Sequence, residues 1–306
     1  MAEKGAQGAG RNYFSELTKR LSKTRVVSWH LSDIYRKTKA SPDIFLTDSD
    51  LMSSKIEMSP LNLETEDQGA KQTLFYHPTA ESELPTIDWN ILDLWEARPN
   101  YSDQVLRIQH NLHEVCIAVA WAYHYDPEKR QPWVDCKKNN TNPTFETSFC
   151  APYKWEAYHA AQAKVAGSSV PHLRSDIVNY VDLDPQESLA RGEVMAIAAY
   201  MEWRSKQRAH WEHYYFPILF ISMFRSGARI LQAHHNGKSL VISKSKFYDL
   251  SGDDNDETYK LFARWIFSNP CGNTTTPLPI PGDPLPDVLV RKLERTLAPS
   301  RTVTVA

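Results

Sequence analysis

The sequence predicts an α+β protein in which helices pack on a three-stranded antiparallel meander, with extended arms at the N- and C-termini. Three observations support this. Apolar residues recur at helical spacing in several segments. The runs "FPILFISMF", "ARILQAHH" and "KSLVISKSKFYDL" follow one another with only Arg225-Ser226-Gly227 and Asn236-Gly237 between them, the pattern of strands joined by tight turns. Residues 1–70 and 273–306 show little apolar periodicity.

Taken in order, residues 1–70 read as a mobile arm. It is basic at first (Lys19, Arg20, Lys23, Arg25) and acidic later (Asp43, Asp48, Asp50, Glu57). Residues 71–272 read as the single α+β domain. Its first helix covers "SDQVLRIQHNLHEVCIAVAWAYHY", where Val105, Ile108, Leu112, Val115 and Val119 form the buried stripe and Pro127 sets the end. "CKKNNTNPTFETSFCAP" reads as a loop, and "YKWEAYHAAQAKVAG" as a second helix ended by Gly167. A third helix starts at Asp184-Pro185 and carries Ala190, Val194, Ile197 and Met201 on its core side. The meander follows, then a helix over "ETYKLFARWIFS" that Asn269-Pro270 stops. Residues 273–306 read as a proline-rich linker, "PLPIPGDPLP", and a short helix, "DVLVRKLERTLA".

Asn236-Gly237 fits a two-residue type I′ loop, which would pair His235 with Lys238, Ala233 with Leu240 and Leu231 with Ile242. Side chains alternate along a strand, so His234 and His235 would face opposite sides as polar residues of a hairpin tip. They would share neither a metal nor a catalytic role.

The composition of the chain excludes several classes of function. Its 306 residues are 42 % hydrophobic with a formal net charge of −2, which gives no overall electrostatic case for nucleic acid. No apolar run is long enough to span a membrane. The first residues, "MAEKGAQGAG", are not a secretory leader, and the four cysteines form no C-x-x-C pair, so a cytoplasmic protein with free thiols is expected. G-x-G-x-x-G does not occur, Gly237-Lys238-Ser239 lacks the upstream glycine of G-x-x-x-x-G-K-S/T, where Gln232 stands, and G-x-S-x-G is missing, so no nucleotide cofactor or serine elbow is expected.

The weak candidates for chemistry are His110, His113 and Glu114 on the first helix and the His210/His213 pair. Histidines three apart on a helix can act as acid–base groups or contribute metal ligands. H-x-x-H-E is not the H-E-x-x-H protease pattern, and histidines on a polar helix face are mostly solvated, so no bound metal is expected. The helix–strand–strand–strand–helix order also matches the restriction-endonuclease core, which needs a helical glutamate, an aspartate on the second strand and Glu-x-Lys on the third. Glu193 fits the helix, but "ARILQAHH" has no acid and "LVISKSK" stands where Glu-x-Lys should, so an active nuclease is not expected.

"YYFPILFISMFRSGARILQAHHNGKSLVISKSKFYDL" followed by "LFARWIFSNPCGNT" resembles a family of functionally uncharacterised proteins from filamentous fungi, over residues 185–276 or so. The resemblance implies a fungal intracellular protein and transfers no catalytic residue. The sequence therefore points first to a small-molecule-binding or accessory protein, with specialised-metabolite biosynthesis as the expected setting and a small apolar ligand or a protein partner. The alternatives are an enzyme of unrecognised type using His/Glu chemistry, and a protein-interaction module.

Overall fold

Seven strands, not three, lie side by side in a mixed sheet. The computed structural model describes residues 2–65, 75–86, 88–89, 92–96, 101–125, 133–136, 154–164 and 170–297. In chain order its main elements are α1 (Ala2–Ala40), α2 (Asp48–Ser53), β1 (Ile56–Pro60), β2 (Tyr76–His77), α3 (Tyr101–Tyr125), β3 (Trp133–Asp135), β4 (Trp155–Ala163) and β5 (Leu173–Asn179). There follow α4 (Arg191–Ser205), β6 (Ile218–Met223), β7 (Gly227–His235), β8 (Leu240–Lys244), β9 (Tyr248–Asp249), α5 (Asp256–Ile266), β10 (Asn269–Pro270) and α6 (Asp287–Leu297).

The sheet runs β1-β8-β7-β6-β5-β4-β3, with β9 added beside the start of β7, while β2 and β10 pair separately. The β1–β8 and β5–β6 pairs are parallel and the other neighbours antiparallel. A parallel pair needs a crossover, and α4 supplies the one between β5 and β6. The expected meander survives as β6-β7-β8, but inside a larger mixed sheet.

The fold-class error has identifiable causes. Trp155–Ala163 is a strand, not the second helix: its alanines favour helix locally, yet burial alternates at Trp155, Ala161 and Ala163 and β5 pairs along it. The third helix begins at Arg191, not near Asp184, although Ala190, Val194, Ile197 and Met201 are buried as expected. The first helix matches its expected end at Tyr125, and its whole predicted stripe is buried. Apart from Cys136, the loop expected over 136–152 lies outside the described residues, as does the tail beyond 297.

The extended arms are also corrected. Val27, Leu31 and Ile34 of α1 are buried in the core beside Val194, Ile197 and Met201 of α4, and β1 completes the sheet edge. The proline-rich segment is docked between α1 and the hairpin. Leu278 is buried, the Lys23 ammonium donates to the Leu278 carbonyl at 2.6 Å, and Asp283 N–H donates to the Ser22 carbonyl at 3.0 Å.

Three layers result. One face of the sheet carries Ile177, Phe220, Leu231 and Ile242 against α1 and α4. The other carries Val178, Leu219, Ile221 and Ile230 against α3 and α5. Among the described residues, no helix is long and apolar enough to cross a membrane.

Candidate functional site

The site is a cleft of about 420 Å³ between α3, the β3–β6 part of the sheet and the end of α5. Leu112, Cys116 and Ala120 line it from α3, Trp133 and Asp135 from β3, Arg174 and Asp176 from β5, and Ile266 and Phe267 from the end of α5. Register explains the convergence of its charges. Asp135 pairs with Ala161, and Ala161 pairs with Arg174, so the two charged residues share a row with only a methyl group between them. At strand spacing their Cα atoms stand about 10 Å apart, within reach of two extended side chains. Asp176 is two residues beyond Arg174 and therefore on the same face.

Arg174 is the centre of the cleft. Its guanidinium lies 5.4 Å from the Trp133 ring centre and 5.6 Å from that of Phe267, and it donates to the Ile266 carbonyl. Burial pushes its pKa down, while the neighbouring Cys116, Asp176 and Asp135 oppose that shift. Burial pushes the Cys116 thiol up to about 12, so it is no thiolate nucleophile at neutral pH.

The sequence-derived candidates separate. His113 lines the cleft. His110 does not: it stacks on Trp95 with ring centres 4.1 Å apart and contacts the Asp93 carbonyl at 2.7 Å. Glu114 is half-buried on α3 outside the cleft lining. His210 and His213 lie beyond α4, where His213 Nδ1 is 2.7 Å from the Thr274 hydroxyl. His210 is buried, and desolvation, aided by Arg204, pushes its pKa down to about 3. The two histidine pairs thus do not share one cavity. Among the described residues, no three His, Cys, Asp or Glu side chains are placed to hold a metal ion.

The nuclease comparison moves upstream. The run α3-β3-β4-β5-α4-β6 has the helix–strand–strand–strand–helix–strand order. Its second strand offers Glu156, which is tied to Lys154 at 2.9 Å and to the Tyr158 hydroxyl. Its third strand reads Arg174-Ser175-Asp176 where an acid-x-Lys would stand. Glu193, matched to the helical acid from sequence, instead pairs with Arg229 of β7 in the opposite layer, at 2.6 Å with both side chains fully buried.

His234 and His235 face opposite sides of the sheet, as alternation requires. The loop is longer than two residues, because His235 pairs with Leu240, Ala233 with Ile242 and Leu231 with Lys244. That is a two-residue shift from the expected register, which preserves the faces. The histidines are not an exposed tip, for both are buried. Gly237 N–H donates to His235 Nδ1 at 3.0 Å, leaving Nε2 to carry the proton and donate to His30 Nδ1 at 2.7 Å; His30 Nε2 then donates to the Ser54 carbonyl at 3.2 Å. Gly237 has φ +100°, and a Cβ there would stand 3.1 Å from Ile280, so the proline-rich segment covers this turn.

Sequence reasoning missed Arg174, Asp176 and Asp135. Their signal is not local: Asp135 on β3 and Arg174 and Asp176 on β5 meet only through sheet register across β4. No family model, curated protein or solved structure matches the chain.

Proposed function

We propose that the chain binds a small molecule in the α3 cleft. The observation that carries this is the cleft itself: apolar walls and a few convergent polar groups are the make-up of ligand sites. Its charged residues sit on sheet strands, which hold them more firmly than loops would. The resemblance of residues 185–276 to fungal proteins supports an accessory role beside specialised-metabolite enzymes, with a ligand drawn from that chemistry. Catalysis by the histidine pairs is the weaker reading, because they stand apart.

The test is a fragment screen by ligand-observed NMR on the full chain and on Ala120→Trp, which fills the cleft from α3. Fragments that bind the parent and are lost in the variant, at an unchanged melting temperature, support the site. Fragments that bind both equally, or no binding to either, sink it.

A further inference from the structure

We propose that the ligand of the α3 cleft is an organic cation, an apolar body bearing a protonated amine; this rests on the cleft being a binding site. Among the described residues, its walls carry two carboxylates, Asp135 and Asp176, against one guanidinium, Arg174, with the His113 imidazole on the α3 side. Arg174 is already engaged. It lies over the rings of Trp133 and Phe267, gives a hydrogen bond to the Ile266 carbonyl, and interacts electrostatically with both carboxylates. An anionic ligand seeking Arg174 would have to approach past Asp135 and Asp176. A cation meets the opposite field, because two carboxylates stand against one guanidinium on the walls.

The placement of the groups fits such a ligand. The carboxylates project from the sheet floor, while Leu112, Cys116 and Ala120 form the apolar roof on α3. Asp135 is exposed at the sheet edge and marks the open side, with Ile117 and Val134, both partly exposed, beside it. A molecule entering there would slide its apolar body under α3 and keep its ammonium near the strands. The low-dielectric walls would strengthen the attraction relative to the same charges in water.

The probes are 4-phenylbutylamine, 4-phenylbutanol and 4-phenylbutyrate, which share one body and differ in one group. Each is titrated into the full chain by calorimetry at two salt concentrations. The amine should bind about tenfold more tightly than the alcohol, and the acid more weakly than the alcohol. Added salt should weaken the amine alone. Asp176→Asn should bring the amine to the affinity of the alcohol without changing the alcohol. Asp135→Asn, at an exposed edge position, should reduce the preference in the same direction and covers the case that Asp176→Asn fails to fold. Equal binding of amine and alcohol, or tightest binding by the acid, overturns the cation assignment and leaves the cleft standing. If none of the three binds, or if Ala120→Trp leaves all three unchanged, the binding site itself is refuted.

Discussion

The two layers that sandwich the sheet differ in what their charged groups face. In the α1/α4 layer, polar groups are used as clasps. Arg229 reaches both oxygens of Glu193, at 2.9 and 2.6 Å, and the carbonyls of Glu187 and Ser188, each at 2.9 Å. Glu193 also accepts from Ala190 N–H at 2.7 Å, closing the first turn of α4. The His235–His30–Ser54 chain ties the hairpin to α1 and to the turn after α2. The α3/α5 layer has clasps of its own, since Arg107 donates to the Gly252 carbonyl at 3.2 Å and Gln232 accepts from the Phe75 and Tyr76 N–H groups at 3.1 Å each, but it also holds the cleft that Arg174 and Asp176 line. Both layers therefore use buried polarity to hold elements together, and the α3/α5 layer also sets charged groups on the wall of a volume that a ligand can fill.

The sharpest way to break this contrast is to remove one member of the buried pair. Glu193→Ala leaves a guanidinium in the core with no charge opposite it, which typically costs about 3–5 kcal/mol. Denaturant unfolding should show the loss, and the double variant Glu193→Leu/Arg229→Met should recover most of it. On the other face, Asp176→Asn should change stability by under about 1 kcal/mol, because that carboxylate borders a solvent-accessible cleft. A cost for Asp176→Asn equal to that of Glu193→Ala would erase the distinction between the layers.

Acidification should act next, and broadly. His172, His210, His234 and His235 are buried, and desolvation holds their folded pKa values at about 4, 3, 4 and 3. The unfolded chain takes up these protons near pH 6.5 and the folded chain does not, so stability is full above that pH and falls as pH drops toward the folded values. Each such histidine contributes about 1.4 kcal/mol per pH unit inside that window. Urea unfolding at pH 8, 7, 6 and 5 should give a steep decline below 6.5, and His235→Gln should flatten it by one proton. A flat profile would mean that these histidines are solvated.

How much was legible follows from the same contrast. The stripe of α3, the core side of α4 and the strands β6 to β8 bury apolar side chains at regular spacing, so their periods could be read. The strand β5 is not legible because Arg174 and Asp176 interrupt its apolar character at the site. The groups that build the cleft are the ones that hide the strand. The helix α1 reads as an arm because Thr24, Ser28 and Thr38 occupy buried positions where an apolar residue would have completed the period. His113 was found because a histidine on a helix is conspicuous in any sequence. Asp135 was not, since only the register across β4 brings it to Arg174.

The smallest expected effect separates the two adjacent histidines. His235 uses both ring nitrogens, so His235→Ala removes two hydrogen bonds, leaves His30 without its donor and opens a cavity beside α1, at about 2–3 kcal/mol. His234 packs its ring 5.0 Å from Phe75 and 6.3 Å from Tyr215, and its Nδ1 has no hydrogen-bond partner among the described residues. Its polarity there is a cost, since a buried nitrogen without a partner has lost its water. His234→Leu keeps most of the volume and removes that cost, so it should be neutral or stabilising by under about 1 kcal/mol. Thermal melts of the two single variants should therefore move apart, with His235→Ala well below the parent and His234→Leu at or above it. A His234→Leu melting temperature as low as that of His235→Ala would show that His234 makes a stabilising polar contact, and the distinction between the two adjacent histidines would fail.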